Sequence, residues 1–336
     1  MDIRNDILET LGDTPIVALR RYHPEGALLA AKLEFFNPGA SVKDRIGIAM
    51  IEEAEREGRL RPGMTIVEPT SGNTGLGLAM ACILKGYKLI CTSSSKISKE
   101  KIALLEAHGA TVIVCPVDVD SNDPRSYTKV AERISEEQGA YLPYQYFNQA
   151  NPRAHYNSTG PEIWRQTDGR ITHFVAGVGT GGTISGAARF LKEQNPEIQV
   201  LGVDPVGSVY AYYNEHGKEP PPEALGFYLI DGIGQSYLPD SCWWETIDDV
   251  VVVDDATAYR SVFEVARTEA IFTGSSGGAA AYAARELARR LPADALVVTL
   301  FPDSGERYLS KLNREWLEEH RLVEPGEIFP QSDPHG

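Results

Sequence analysis

The stretch that decides the fold is His173-Phe174-Val175-Ala176-Gly177-Val178-Gly179-Thr180-Gly181-Gly182-Thr183-Ile184. A short apolar run enters a glycine-rich loop, and a helical pattern takes over at Ile184–Lys192. The glycines let backbone N–H groups approach a phosphate closely, and Thr180 and Thr183 add hydroxyl donors. Taken alone, the loop has two readings. Gly177, Gly179 and Gly182 satisfy GxGxxG, and Asp204 follows a strand about 20 residues on, as the ribose-binding acid of a dinucleotide site would. The same loop would hold a monophosphate as readily.

The strand–loop–helix alternation continues in both directions. Runs at Leu28–Lys32, Thr65–Glu68, Lys88–Thr92, Thr111–Cys115, His173–Ala176, Val200–Asp204, Val250–Val253 and Leu296–Phe301 read as strands. Between them apolar residues recur three and four apart, as at Ile46, Met50 and Ala54 or Leu76, Met80 and Ile83. This predicts an α/β protein with two open, twisted, mostly parallel sheets and flanking helices. Two βα blocks are visible, at roughly 45–147 and 148–325, followed by a tail at 326–336. Gly207–Pro222 is Tyr- and Pro-rich and too long for a simple connector, so it reads as a surface flap. Ligands in such sheets bind beyond the C-terminal strand ends, which directs attention to the loops there.

Composition narrows the function classes. The 336 residues carry 32 Lys+Arg against 47 Asp+Glu, a net charge of −15, which tells against nucleic acid or anionic lipid as a partner. No apolar run approaches the ~20 residues needed to span a bilayer. Met1–Asp6 has acids where a signal peptide would have a basic stretch, so a cytoplasmic protein is expected. The four cysteines show no CxxC spacing and are expected to be reduced packing residues, with no metal site.

Four further loops carry polar chemistry. In Asn37-Pro38-Gly39-Ala40-Ser41-Val42-Lys43-Asp44-Arg45, Ser41 and Asp44 have the spacing of an N-cap and its returning acid. Lys43 then falls in the first helical turn, where the dipole, and burial if it is buried, would favour the neutral amine that Schiff-base formation requires; on this loop alone a solvated surface lysine is the plainer reading. Glu68-Pro69-Thr70-Ser71-Gly72-Asn73-Thr74-Gly75 presents hydroxyls, an amide and open N–H groups ahead of a helix at Leu76–Lys85, a setting suited to a carboxylate. Thr273-Gly274-Ser275-Ser276-Gly277-Gly278 and Phe301-Pro302-Asp303-Ser304-Gly305-Glu306-Arg307-Tyr308 are weaker signals, each compatible with a plain capping turn. Together these loops exceed what one dinucleotide site needs.

Ser41–Arg45, Thr70–Gly75 and Gly179–Thr183, in this order, resemble the fold-type II pyridoxal-phosphate enzymes of the cysteine synthase and cystathionine β-synthase family. The likeness continues through Gln145-Tyr146, Asn151-Pro152, His155-Tyr156, Thr159–Trp164, Asp231-Gly232-Ile233-Gly234, Ser276 and Pro302-Asp303-Ser304, spanning about residues 8–318. It implies a tryptophan synthase β-subunit-like fold with a smaller mobile domain over 45–147 and a larger, cofactor-binding domain of 1–44 plus 148–325. By this resemblance Lys43 would hold pyridoxal 5′-phosphate as an internal aldimine and later act as the base at Cα. Asn73 would bond the ring hydroxyl, Gly179, Thr180, Gly181, Gly182 and Thr183 would cradle the phosphate, and Ser276 would meet the pyridine nitrogen. Thr70, Ser71, Thr74 and Gln145 would bind the amino-acid carboxylate, and Asp231 and Gly232 would also contact substrate.

The implied reaction is β-replacement on L-serine or an O-activated serine through an aminoacrylate, in an enzyme that acts on small amino acids and, by the same resemblance, forms a homodimer. Pro161–Trp164 and Gly305–Ser310 look like cysteine synthase, which uses sulfide. Asp204–Ser208, the acid before Gly232-Ile233-Gly234 and the extended 209–228 segment look more like cystathionine β-synthase. Asp231 would receive the ammonium of an amino-acid nucleophile such as homocysteine, a charge that sulfide does not need. Gln235 stands where cystathionine β-synthases often have tyrosine. No Cys precedes Cys82, so no haem-binding extension is expected, nor a C-terminal regulatory module. A cystathionine β-synthase-like activity is therefore expected first and O-acetylserine sulfhydrylase second. A diaminopropionate-type synthase stays open. An NAD-dependent oxidoreductase would leave Lys43 and the Asn73 loop unexplained.

Overall fold

The computed structural model describes residues 3–70, 72–119 and 122–328. The expected tail therefore lies, beyond 328, outside the described residues. In chain order, β1 (Ile16–Ala18) and β2 (Leu28–Leu33) precede α1 (Lys43–Arg56). Then come β3 (Thr65–Pro69), α2 (Asn73–Lys85), β4 (Lys88–Ser94), α3 (Lys99–Ala107), β5 (Thr111–Cys115) and α4 (Tyr127–Gln138). Next are α5 (Ala150–Asn157), α6 (Thr159–Gln166), β6 (His173–Gly177), α7 (Gly182–Gln194), β7 (Gln199–Pro205) and α8 (Val209–His216). The chain continues with β8 (Asp249–Val253), α9 (Asp255–Glu269), α10 (Ser275–Ala288), β9 (Leu296–Phe301) and α11 (Arg314–Glu319).

The strands form a six-stranded sheet in the order β1-β2-β9-β6-β7-β8 and a three-stranded sheet in the order β3-β4-β5. Every pairing is parallel except β1 with β2. All eight expected strands are present. The short antiparallel edge strand β1 is not among them. Strand β9 is buried along its whole length between β2 and β6, as expected where helices cover both faces. Alanines 279, 280, 281, 283, 284 and 288 are buried on α10, and such small side chains let the helix lie close to the sheet.

Two glycines set where Lys43 stands. A Cβ on Gly47 would come within 2.4 Å of the Gly77 backbone, and one on Gly77 within 2.6 Å of the Lys43 carbonyl oxygen. Only glycine permits α1 and α2 to cross this closely, so the lysine is pressed against the helix that begins at Asn73. Behind α1 lies a buried ionic cluster. Arg45 pairs with Glu34 and Glu162, each at 2.7 Å, and Lys32 pairs with Glu162 at 2.7 Å. Burial alone would raise Glu34, yet Arg45 and Lys32 hold its carboxyl down to about 2.

Three local expectations are corrected. Helix α1 starts at Lys43 with Val42 as its N-cap, so Ser41 is one residue too early to cap it. The Ser41 hydroxyl accepts from the Lys43 N–H at 3.3 Å, and the Asp44 carboxylate reaches back to the Gly39 N–H at 2.7 Å. Ala40 sits between them at φ 54°, a left-handed conformation costing a non-glycine residue roughly 1–2 kcal/mol. The predicted flap is no loose surface loop at its start. It forms α8, whose Tyr210 is fully buried and stacks on Trp244 with centroids 6.2 Å apart. Helices α2 and α10 begin three and four residues earlier than predicted, which draws Asn73, Thr74 and Ser276 into first turns. All four cysteines are free thiols.

Candidate active site

The C-terminal ends of both sheets open onto one cavity of about 1220 Å³. Lys43, Asn73, Thr74, Gln145, Gly179, Thr180, Asp231, Gly232 and Ser276 line it, so most of the sequence-predicted site residues converge. Thr70 stands behind the wall. It is buried, and its hydroxyl accepts from the Gly72 N–H at 3.1 Å, shaping the loop from within. Ser71 lies outside the described residues.

Lys43 emerges from the first turn of α1, half-buried. Burial pushes its amine down to about 8, helped by the nearby Lys101 ammonium and opposed by Asp303 and Glu34. A lysine held there has a substantial neutral fraction near neutral pH, the form that attacks a carbonyl carbon. Next to it the Asn73 amide is clamped at both ends. Its Nδ2 donates to Asp303 at 2.6 Å, and its Oδ1 accepts from Arg307 at 3.1 Å. Tyr308 also donates to Asp303, at 2.5 Å, and Lys101 donates to the Tyr308 hydroxyl at 2.8 Å. Sequence reasoning does not find this clamp, although Asp303, Arg307 and Tyr308 all belong to one of the polar loops that it marks.

Thr74 donates to the Gln145 side-chain oxygen at 2.7 Å, joining the two residues on one wall. Gln145 is held from behind by Glu68. That buried carboxyl accepts from the Tyr144 N–H at 2.7 Å and the Gln145 N–H at 3.0 Å. Burial pushes Glu68 up to about 8 despite those bonds.

The opposite wall is the glycine loop. Helix α7 begins at Gly182 with no side-chain cap, so its first-turn N–H groups are left for a ligand. Side chains are excluded there by close neighbours. A Cβ on Gly179 would stand 2.4 Å from the Gly232 carbonyl oxygen, on Gly181 2.3 Å from Cys242, and on Gly182 2.0 Å from Asn151 Oδ1. Asn151 also donates to the Thr180 hydroxyl and to the Gln145 carbonyl, both at 2.9 Å. The Thr183 hydroxyl meets His155 Nε2 at 3.1 Å, and His155 Nδ1 meets Thr159 at 2.8 Å. Burial, with Arg45 and Lys43 nearby, holds that imidazole well below its usual value and therefore neutral. Tyr210 donates its hydroxyl to the Gly179 carbonyl. The flap tyrosine thus supports the loop rather than meeting a ligand.

Two observations remove the dinucleotide reading. The Asp204 carboxylate is fully buried and accepts from the Ala211 N–H at 3.0 Å, closing the start of α8 instead of facing the cavity. Ser276 and Lys43 line this same cavity, and neither is a group that a dinucleotide's ribose calls for. Asp231 lies on the wall with its N–H donating to Ser275 at 3.0 Å, and its carboxylate accepts from Lys311 at 2.7 Å.

Comparison with known proteins agrees with this geometry. The family described as pyridoxal-phosphate dependent enzyme matches residues 7–303. The chain is 40% identical over 328 residues to cystathionine beta-synthase of Apis mellifera, covering 96% of this chain and 64% of that protein's length. It is 43% identical over 308 residues to cysteine synthase of Staphylococcus aureus, covering 91% of this chain and 96% of that one. Among solved structures, O-ureido-L-serine synthase superposes with a TM-score of 0.84 at 34% identity, covering 94% of this chain and 96% of that one. The two-sheet architecture is that of the fold-type II enzymes.

The residues present fit pyridoxal phosphate. The side-chain-free cradle at Gly179, Gly181 and Gly182, on an uncapped helix N-terminus, suits its phosphate. Lys43 offers an amine of lowered basicity for its aldehyde, and Asn73 and Ser276 border the space where its ring would lie. On the matched sequence, the fold and this fit, the chain belongs to the family of pyridoxal-phosphate dependent enzymes.

Proposed function

We propose that the protein catalyses β-replacement on L-serine or an O-activated serine, with an amino-acid thiol such as homocysteine as the nucleophile. Bound pyridoxal phosphate supplies the electron sink that acidifies the substrate's Cα–H. Lys43 Nζ takes that proton, the Cβ–O bond breaks with its electron pair leaving on oxygen, the thiol's S–H proton ends on that leaving group as the Cβ–S bond forms, and Lys43 returns the first proton to Cα. Thr74 and Gln145 hold the first substrate's carboxylate, kept in register by their mutual hydrogen bond and by Glu68. Asn73, clamped by Asp303 and Arg307, orients the cofactor ring, and Ser276 offers its nitrogen a neutral hydroxyl. We place closure in the 45–147 unit, which carries the Asn73 loop, over a larger unit of 1–44 plus 148–325. Closure would exclude water from the reacting carbon.

The observation that carries the choice of nucleophile is that a carboxylate, Asp231, lines the same cavity as Lys43, with Lys311 on its Oδ2 and no donor on its Oδ1 among the described residues. An ammonium-bearing nucleophile has a use for that charge, whereas sulfide has none. The similarity to Staphylococcus aureus cysteine synthase over 96% of that enzyme favours sulfide as the second reading. The test pairs serine, O-acetylserine and O-phosphoserine with sulfide, homocysteine, ammonia and glutamate. Turnover of homocysteine is expected. Asp231→Ala should lower kcat/KM for homocysteine by roughly 10- to 100-fold, the range for one lost charge-assisted hydrogen bond, while sulfide turnover holds. Equal losses with both nucleophiles would remove Asp231 from the proposal. Sedimentation of the holoprotein checks the expected homodimer.

A further inference from the structure

The protein is strongly acidic, at −15 overall, yet one wall of its cavity is cationic. Lys96, Lys101 and Lys311 all feel the Asp231 carboxylate, with Asp255 also acting on Lys96 and Asp303 on Lys101. Two of the three ammonium groups are spoken for. Lys101 is fully buried and donates to the Tyr308 hydroxyl, and Lys311 pairs with Asp231 Oδ2 at 2.7 Å.

Lys96 is different. It sits in the turn between β4 and α3, half-buried on the cavity wall. Its Nζ lies 3.9 Å from the centre of the Phe227 ring and 5.5 Å from that of Tyr228. Among the described residues it makes no hydrogen bond and no ion pair. The aromatic faces hold the cation in place but leave its N–H donors unused. Partial burial lowers its basicity, with Lys311 adding to the effect and the carboxylates of Asp231 and Asp255 opposing it, although neither acid pairs with it. Asp231 lines the same cavity, and its Oδ1 likewise has no hydrogen-bond donor among the described residues. A cation without a hydrogen-bond acceptor and a carboxylate oxygen without a donor therefore line the same cavity as the Thr74–Gln145 pair.

We propose that Lys96 binds the α-carboxylate of the second substrate while Asp231 Oδ1 binds its α-ammonium, so that this wall selects a zwitterionic amino-acid thiol. This rests on the β-replacement reading above and specifies its nucleophile. Phe227 is 69% exposed and gives the lysine its fixed perch at the rim. Sulfide, which has neither group, would use neither residue.

The test compares wild type, Lys96→Met, which keeps the stem against Phe227, and Lys96→Arg. The nucleophiles are homocysteine, 3-aminopropane-1-thiol, which is homocysteine without its carboxylate, and sulfide. Lys96→Met should lose roughly 10- to 100-fold in kcat/KM with homocysteine, mostly through KM, and be unchanged with the other two. Lys96→Arg should recover much of that loss. A readout independent of turnover is calorimetric binding of 4-(methylthio)butanoate, which has a carboxylate but no amine or thiol. It is measured with L-alanine, which lacks a leaving group, saturating the first amino-acid site. Its affinity should fall by a similar factor in Lys96→Met and be restored in Lys96→Arg. Equal losses with all three nucleophiles, or unchanged binding of the thioether acid, overturn the inference and make Lys96 a support for the rim alone. Wild-type turnover of sulfide without any homocysteine turnover overturns the β-replacement reading with an amino-acid nucleophile, and the inference with it.

Discussion

The glycine loop at 179–183 and the lysine wall at 96–101 and 308–311 face one cavity and are built by opposite means. The loop works by leaving side chains out. Neighbours occupy every place where a Cβ at Gly179, Gly181 or Gly182 would go, which leaves only backbone there. The wall works by long side chains that reach in from separate segments and end on rings, a hydroxyl or a carboxylate. The first is local, and an anion such as the cofactor's phosphate is the kind of group it would suit. The second is adjustable, since exchanging one lysine alters its charge without moving the backbone. A family that keeps one cofactor while changing nucleophiles would place its constant and variable parts in this way.

The comparison can be broken most severely at the side chain that lies between the two regions. Lys43→Ala should lower turnover by roughly 10²- to 10⁴-fold, the usual value of a positioned acid–base group, and should remove the visible absorption of the bound cofactor. Retained turnover in that variant would sink the mechanism. A smaller effect sharpens the contrast itself. Gly182→Ala should cost about 1–3 kcal/mol through overpacking against Asn151. Weaker cofactor retention on dialysis should report it, with Lys96→Met showing no such weakening. The smallest effect is a titration. The Lys43 amine is lowered from 10.5 to about 8, so it is charged below that point and neutral above it. Cofactor-free protein should therefore capture pyridoxal phosphate faster as pH rises, by roughly tenfold per pH unit below 8, and level off above. A midpoint near 10 would show an amine that burial does not reach.

Much of the fold and of the site is legible in the order of the residues. Strands such as Leu296–Phe301 announce themselves because a strand covered on both faces needs a continuous apolar run. The site lysine and the glycine loop are legible because each performs its chemistry through a short local sequence. Helix starts are harder to read. At α2 and α10 the residues that open the helix are Asn, Thr, Ser and Gly, which also favour turns, so local pattern places the boundary too late. Strand β1 escapes notice because three half-exposed residues at a sheet edge carry no pattern. Tyr210 reads as part of a flap because composition alone does not separate a buried tyrosine from an exposed one.

By itself the sequence determined the alternating architecture, the family likeness and the backbone cradle, since each is encoded by neighbours within a turn or a strand. Only the tertiary structure decided which charges meet. Asn73 with Asp303, Lys101 with Tyr308 and Lys311 with Asp231 join positions 230, 207 and 80 residues apart. Electrostatic and hydrogen-bond energies depend on separations of a few ångströms in space, and distance along the chain carries no record of them.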